Sequence, residues 1–218
     1  MLNLVIKDIL VQKKIFIASI LYIIFFVIAF QSLGMGMYTA AIVAIVYLMV
    51  SGGFAYDDKS KSDIMLNSLP IKRENIVMSK YISLFVYIAI GTIAYIVVTF
   101  VISLLNTPIK TYPVTIELIV SAVIAVSLMH SISFPLIFKL GYVKSKAFNM
   151  IFFLSFFFGA PLLIDFVSKA NSEVTTAVWT FLKNQSDVAI VFELLVLSLV
   201  FLSISYGISV RLYKKREF

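Results

Sequence analysis

Six runs of roughly twenty residues pass along this chain almost without charge: 15–33, 37–55, 81–105, 118–138, 148–167 and 188–210. A helix of about 20 apolar residues matches the ~30 Å hydrocarbon core of a bilayer. That core holds no water to satisfy backbone N–H and C=O groups, so such a run has to be helical. Composition agrees, with 61% hydrophobic and 13% charged residues, against roughly 45–50% and about 25% in soluble domains. No polar stretch is long enough to build a separate soluble core. The chain therefore reads as an all-α membrane protein, one domain over 1–218 with six transmembrane helices. The glycines of Gly34-Met35-Gly36 permit a tight reversal, which makes the first two runs a hairpin.

The basic residues orient the bundle. Lys7, Lys13, Lys14, Lys59, Lys61, Lys72, Arg73, Lys80, Lys139, Lys144, Lys146, Arg211, Lys214, Lys215 and Arg216 fall on one side, and Lys110, Lys169 and Lys183 on the other. Lys and Arg accumulate on the cytoplasmic side of membrane proteins. The split predicts a multi-pass protein of the plasma membrane with both termini in the cytoplasm, as an even number of spans requires. The same reading accounts for the net charge of +7 without a nucleic-acid partner. Cysteine is absent, which excludes disulfides and thiolate metal sites. The first apolar run exceeds the core of a signal peptide and no small-x-small site follows it, so no cleavable leader is expected.

Three further segments carry amphipathic patterns. Leu2, Val5, Ile6, Ile9 and Leu10 form a helical stripe, with Lys7, Asp8, Lys13 and Lys14 off it or just beyond. That pattern predicts a helix along the inner leaflet whose lysines meet anionic headgroups. Between the second and third runs, Ser60 with Asp63 resembles an N-terminal cap. Ile64, Met65, Leu66 and Leu69 then give a short helix over about 60–69 a partly apolar surface, and Pro70 ends it or starts a second helix that runs through Glu74 into the third run. An apolar face rimmed by mixed charge outside the bilayer suggests a docking surface; its alternative is to lie back on the membrane. Between the fifth and sixth runs, Val174, Ala177, Val178, Phe181 and Leu182 repeat the stripe around Trp179. These predict a short re-entrant or interfacial helix on the outer side.

Together these features resemble the permeases of type-2 ATP-binding-cassette (ABC) exporters. The stretch Asp57-Asp58-Lys59-Ser60-Lys61-Ser62-Asp63-Ile64-Met65-Leu66-Asn67-Ser68-Leu69-Pro70-Ile71-Lys72-Arg73 is similar to a compact Gram-positive branch. That branch exports bacteriocins and amphipathic toxin peptides such as phenol-soluble modulins. The resemblance implies a coupling helix seated in a groove of a separate ABC ATPase, present in two copies, and a second permease copy or homologous permease. Asp57, Asp58, Lys59, Lys61, Asp63, Ile64, Met65, Leu66 and Leu69 would make that contact, and Lys144 in the loop 139–146 a second one. The chain has no phosphate loop of the G-x-x-x-x-G-K-[ST] type, so ATP and Mg are expected in the partner and no cofactor in this chain.

Ionisable residues within spans are costly and tend to be functional. Glu193 lies about two turns into the sixth run, Asp165 near the outer end of the fifth, and Glu117 at the start of the fourth. The three acids are candidates for an outer vestibule attractive to cationic peptides; headgroup-level positions, or a packing hydrogen bond for Glu193, are the alternatives. His130 has no second ligand at metal spacing, so an interhelical hydrogen bond is expected and no metal site. Pro135 and Pro161 are expected to kink their helices. Five phenylalanines between Phe152 and Phe158 point to packing or lipid contact, with a peptide-facing wall as the alternative. No nucleophile with a positioned base, no H-E-x-x-H and no spaced aspartate set occurs, so an intramembrane enzyme is not expected. A non-transporting immunity or accessory membrane protein is the rival to the permease.

Overall fold

The computed structural model describes residues 2–105, 108–169 and 186–216, and the described residues are helical apart from turns and short connections. The helices are α1 (Leu2–Val11), α2 (Lys13–Ala29), α3 (Gly36–Lys59), α4 (Ser62–Ser68), α5 (Arg73–Leu104), α6 (Ile116–Leu140), α7 (Tyr142–Lys169) and α8 (Asp187–Lys214), with a 3-10 turn at Gln31–Leu33. Each apolar run of the sequence falls on one of α2, α3, α5, α6, α7 and α8. Among the described residues, four helices (α3, α5, α6 and the 188–214 portion of α8) are long and apolar enough to cross a membrane. The count becomes five if α1 and α2, which meet at 66°, are taken together as one broken span. Six crossings are thus more than helix length and composition establish: α2 has 17 residues, about 25 Å of helix, and α7 carries Lys144 and Lys146 in its first turns. The proposed outer helix around Val174–Leu182 lies outside the described residues.

Alternation of direction places the N-terminus of α5 and the C-termini of α3, α6 and α8 at one end of the bundle, together with α1 and α4. The basic residues grouped on one side in the sequence gather there. Gly34 at the opposite end turns with φ 56°, a left-handed value that suits glycine. α3 is the hub, packed on α1, α2, α5, α6 and α7. At the far end it is pinned by Tyr38 to Thr92 of α5 (2.7 Å) and by Thr39 to Ser121 of α6 (2.8 Å). α6 and α8 lie closely side by side. Small Ser198, Ser205 and Ser209 turn inward from α8, as expected where membrane helices approach tightly. Tyr81 of α5 bonds Ser205 and Ser209 at 2.7 and 2.9 Å. Most of the phenylalanine run packs: Phe153 stacks on Tyr47 at 4.2 Å, and Phe157 meets Phe26 and Phe30. Phe158 faces outward.

Candidate functional site

The basic end carries the chemistry. α3 stops at Lys59, and Ser60 does not cap the next helix as the sequence pattern predicts. Its hydroxyl donates to the Tyr56 carbonyl at 2.7 Å and meets Ser62 Oγ at 2.6 Å. Lys61, at φ 51° and ψ 34°, takes the N-cap position instead and turns the chain into α4. The helix ends at Ser68, where Leu69 goes extended ahead of Pro70, since the residue before a proline is driven out of the helical region.

α4 has two distinct faces. Ile64 and Met65 are 55% and 57% exposed and Leu69 is also exposed, whereas Leu66 is 5% exposed and belongs to the core. On the inner side Tyr213 of α8 is buried between Asp63, to which its hydroxyl donates at 3.3 Å, and Asn67, which donates to it at 3.1 Å. Arg216 lies 3.6 Å from the other Asp63 oxygen. Burial raises the Asp63 carboxyl above its ordinary value, more than Arg216 and the Tyr213 hydrogen bond lower it. Arg73, at the start of α5, donates to the terminal carbonyls of Tyr213, Lys214 and Arg216 at 3.4, 2.9 and 3.3 Å, a cation where the helix dipole favours one. Lys214 pairs with Glu74. α4 is therefore clamped to the C-terminal end of α8, which the first turn of α5 holds in turn.

The structure divides the residues that the sequence grouped as a coupling surface. Asp58, Lys59, Lys61, Ile64, Met65 and Leu69 are exposed, while Asp63 and Leu66 face inward. Asp57 is buried and bonded to Lys7 of α1 and Lys80 of α5 at 2.8 and 2.5 Å. Lys7 thus meets a carboxylate and not the headgroups expected for it. Asp8 is buried beside Lys80, so the inward face of α1 runs through Val5, Asp8 and Gln12, and Ile6 and Leu10 face out. At the elbow between α1 and α2, Gln12 donates to Tyr87 at 2.8 Å.

The expected loop 139–146 is a one-residue corner. Gly141, at φ 79°, joins α6 to α7, donates to the Ile137 carbonyl at 2.8 Å, and accepts from the Ser145 hydroxyl at 2.7 Å. Lys139, Lys144 and Lys146 stand exposed around it. At the opposite end Glu117 in the first turn of α6 and Glu193 in the second turn of α8 are exposed, and the side chain of Asp165 is outside the described residues. His130 is buried with Nδ1 2.9 Å from the Val126 carbonyl, a contact within its own helix where an interhelical one was expected. Among the described residues no group of three His, Cys, Asp or Glu has metal-binding geometry.

No curated protein and no solved structure matches the chain. The model of the ABC-2 family transporter proteins matches residues 3–214, which takes in the described helices apart from the first residue of α1. Members of this family are multi-pass membrane components, generally non-catalytic, that associate with an ABC ATPase. The chain belongs to the ABC-2 transporter family, as a permease subunit of an ABC transporter.

Proposed function

We propose that this chain exports an amphipathic or antimicrobial peptide, with α4 as the element through which the ATPase drives it. The observation that carries the proposal is the division of α4: an inner face bonded to α8 and packed on the core, and an outer face exposing Ile64, Met65 and Leu69. A seven-residue helix with an apolar outer surface, flanked by exposed Asp58, Lys59 and Lys61, fits an apolar groove with a polar rim on a soluble partner. The corner at Gly141, with Lys144, supplies a second contact. Two ATPase subunits closing on ATP would push α4 of two permeases and rock the bundles against each other.

In this reading the protein crosses the plasma membrane six times, with both termini in the cytoplasm, so the basic end meets the ATPase. Glu117, Glu193 and Asp165 would draw cationic peptide at the outer mouth. The peptide substrate rests on the similarity of 57–73 to the Gram-positive branch. ATP and Mg belong to the partner.

Two variants test the proposal, Ile64→Asp and Met65→Asp, with Leu66→Asp as a folding control. The first two should insert into membranes at wild-type levels and lose the co-expressed ATPase on purification. Leu66→Asp should lose folded protein, because it places a carboxylate in the core. Full ATPase retention by both outer-face variants would refute the docking of α4 and favour a non-transporting accessory role.

A further inference from the structure

Four ionisable side chains from three helices meet at the base of the α3–α4–α5 excursion. Lys7 Nζ lies 2.8 Å from Asp57 Oδ1 and 3.2 Å from Asp8 Oδ1. Lys80 Nζ lies 2.5 Å from Asp57 Oδ2 and 2.8 Å from Asp8 Oδ2. The order Lys7, Asp57, Lys80, Asp8 closes on itself, so each carboxylate bridges two ammonium groups and the formal charge sums to zero. Asp8, Asp57 and Lys80 are each less than a tenth exposed, and the Lys80 ammonium also sits 5.1 Å from the centre of the Phe54 ring.

Stability does not call for such a ring. Buried ion pairs lose hydration that their attraction barely restores, and apolar replacements of the same volume are often neutral or better. What a closed ring of charge supplies is one defined geometry between the elements that carry it. Here those elements are the last turn of α3, the second turn of α5 and the N-terminal helix. The chain leaves the ring at Asp57, makes α4, and returns at Lys80, so the ring shuts the neck of the segment that α4 occupies. The neighbouring Gln12–Tyr87 bond ties the α1–α2 elbow to α5 about two turns deeper.

We propose that the ring Lys7–Asp57–Lys80–Asp8 is a transmission joint that makes α1, the end of α3 and the start of α5 move with α4 as one body. Without it, a push on α4 would be taken up by flexing of the neck. With it, the same push displaces two spans and swings α1. The four residues are positioning residues for transport, acting through α4, and the proposal rests on α4 being the ATPase contact.

The absence of native cysteine gives a clean test. Spin labels at Ile6→Cys on α1 and Ser68→Cys at the end of α4 report the joint, and labels at Ser68→Cys and Ile116→Cys report movement along the bundle. All three positions are exposed. The permease is reconstituted in nanodiscs with its co-expressed ATPase and measured without nucleotide and trapped with ATP and vanadate. With the ring intact, the 6–68 distance should stay one narrow, unshifted peak while the 68–116 distance changes. In Lys80→Met with Asp57→Asn, which removes one charge of each sign and leaves Lys7 beside Asp8, trapping should shift or split the 6–68 peak and shrink the 68–116 change at unaltered ATPase binding. A 6–68 peak in that variant that stays as narrow and unshifted as in the wild type would overturn the joint, and so would a shift with the ring intact. Failure of the intact permease to retain its ATPase would instead overturn the reading of α4 itself. Lys80→Met alone strands two carboxylates on one ammonium and is expected to express poorly, which is why the neutral double variant carries the test.

Discussion

Gly53→Ala is a sharp test of how the N-terminal elbow is seated. A β-carbon at Gly53 would sit 2.6 Å from the Gln12 amide nitrogen, so that group must retreat by about 0.8 Å to reach the 3.4 Å of ordinary contact. Gln12 cannot retreat freely, because the same nitrogen donates to Tyr87 at 2.8 Å and the side chain is fully buried. Overpacking of this kind costs about 1–3 kcal/mol. A polar bond lost between membrane helices adds on average about 0.6 kcal/mol, to a maximum near 1.7. Alanine in place of glycine within a helix offsets roughly 0.5–1 kcal/mol. The net expectation is a destabilisation of about 1–3 kcal/mol, measured by reversible unfolding in mixed micelles. In a Gln12→Ala background the obstacle is gone, and Gly53→Ala should become neutral or stabilising by up to about 1 kcal/mol. Gly207→Ala, whose β-carbon meets nothing within 4 Å, is the control and should stabilise by a similar amount. Additive effects of Gly53→Ala and Gln12→Ala would show that the two sites do not press on each other, and the account of the elbow would fail.

Three further expectations concern α4 and its supports. The folded-state pKa of Asp63 is raised, so protonation favours the docked helix. Its contribution is complete below the ordinary carboxylate value and lost as pH rises through the folded pKa. Hydrogen exchange of α4 should therefore slow as pH falls through that window, after correction for intrinsic rates, and Asp63→Asn should flatten the dependence. Tyr213→Phe removes the hydroxyl shared by Asp63 and Asn67. It should cost about 0.5–1.5 kcal/mol, because Asp63 and Asn67 are half-buried and Asn67 still donates to the Asp63 carbonyl, seen as faster exchange in α4 with little change at the far end of the bundle. Gly141→Ala forces a side chain into a positive-φ, extended backbone (φ 79°, ψ 165°) that is essentially confined to glycine, at about 1–3 kcal/mol, and sets a β-carbon 2.8 Å from the Arg216 guanidinium. A lowered melting temperature should result, and an unchanged one would mean the corner relaxes.

What the sequence made legible follows from the solvent. A bilayer imposes its demand locally, on every twenty-residue run, so the apolar segments, the Gly34 turn and the clustering of basic residues at one end can be read without knowing any contact. The outer face of α4 was legible too, through Ile64 and Met65. Its inner face was not, because seven residues are too few for a periodic pattern to tell Leu66 from its neighbours. The ring was hidden for a different reason. Its partners lie 50 and 72 residues from Lys7 and Asp8, and nothing local distinguishes a buried Asp57 from the exposed Asp58 beside it. The one available signal was Asp8 in register with Val5 and Gln12, a carboxylate on a face that packs inward. Ser60 misled because its hydroxyl had a nearer carbonyl to satisfy, that of Tyr56, which left Lys61 to make the turn. The 17 residues of α2 fall short of the run from which they were read because its last residues tighten into a 3-10 turn before Gly34.

The arrangement of burial says where a push on α4 would go. α3 is the most enclosed of the four long apolar helices, with 67% of its apolar window inside the bundle, and α8 the least, with 17%. α4 continues directly from α3 and is bonded sideways to α8 through Tyr213. A displacement of α4 therefore acts at once on the helix that touches nearly every other and on the least enclosed of the four long apolar helices. A largely enclosed helix cannot slide without its surroundings, whereas α8, gripped mainly by α6, leaves most of its surface uncovered by the rest of the bundle. On the proposed coupling, rocking of the bundle as a body should thus come with a smaller movement of α8 relative to α3. The polar contacts that would have to yield are those of Tyr81 with Ser205 and Ser209. Tyr81→Phe should then loosen α8 without unseating α4, and exchange that rises along 198–209 but not in α4 would separate the two.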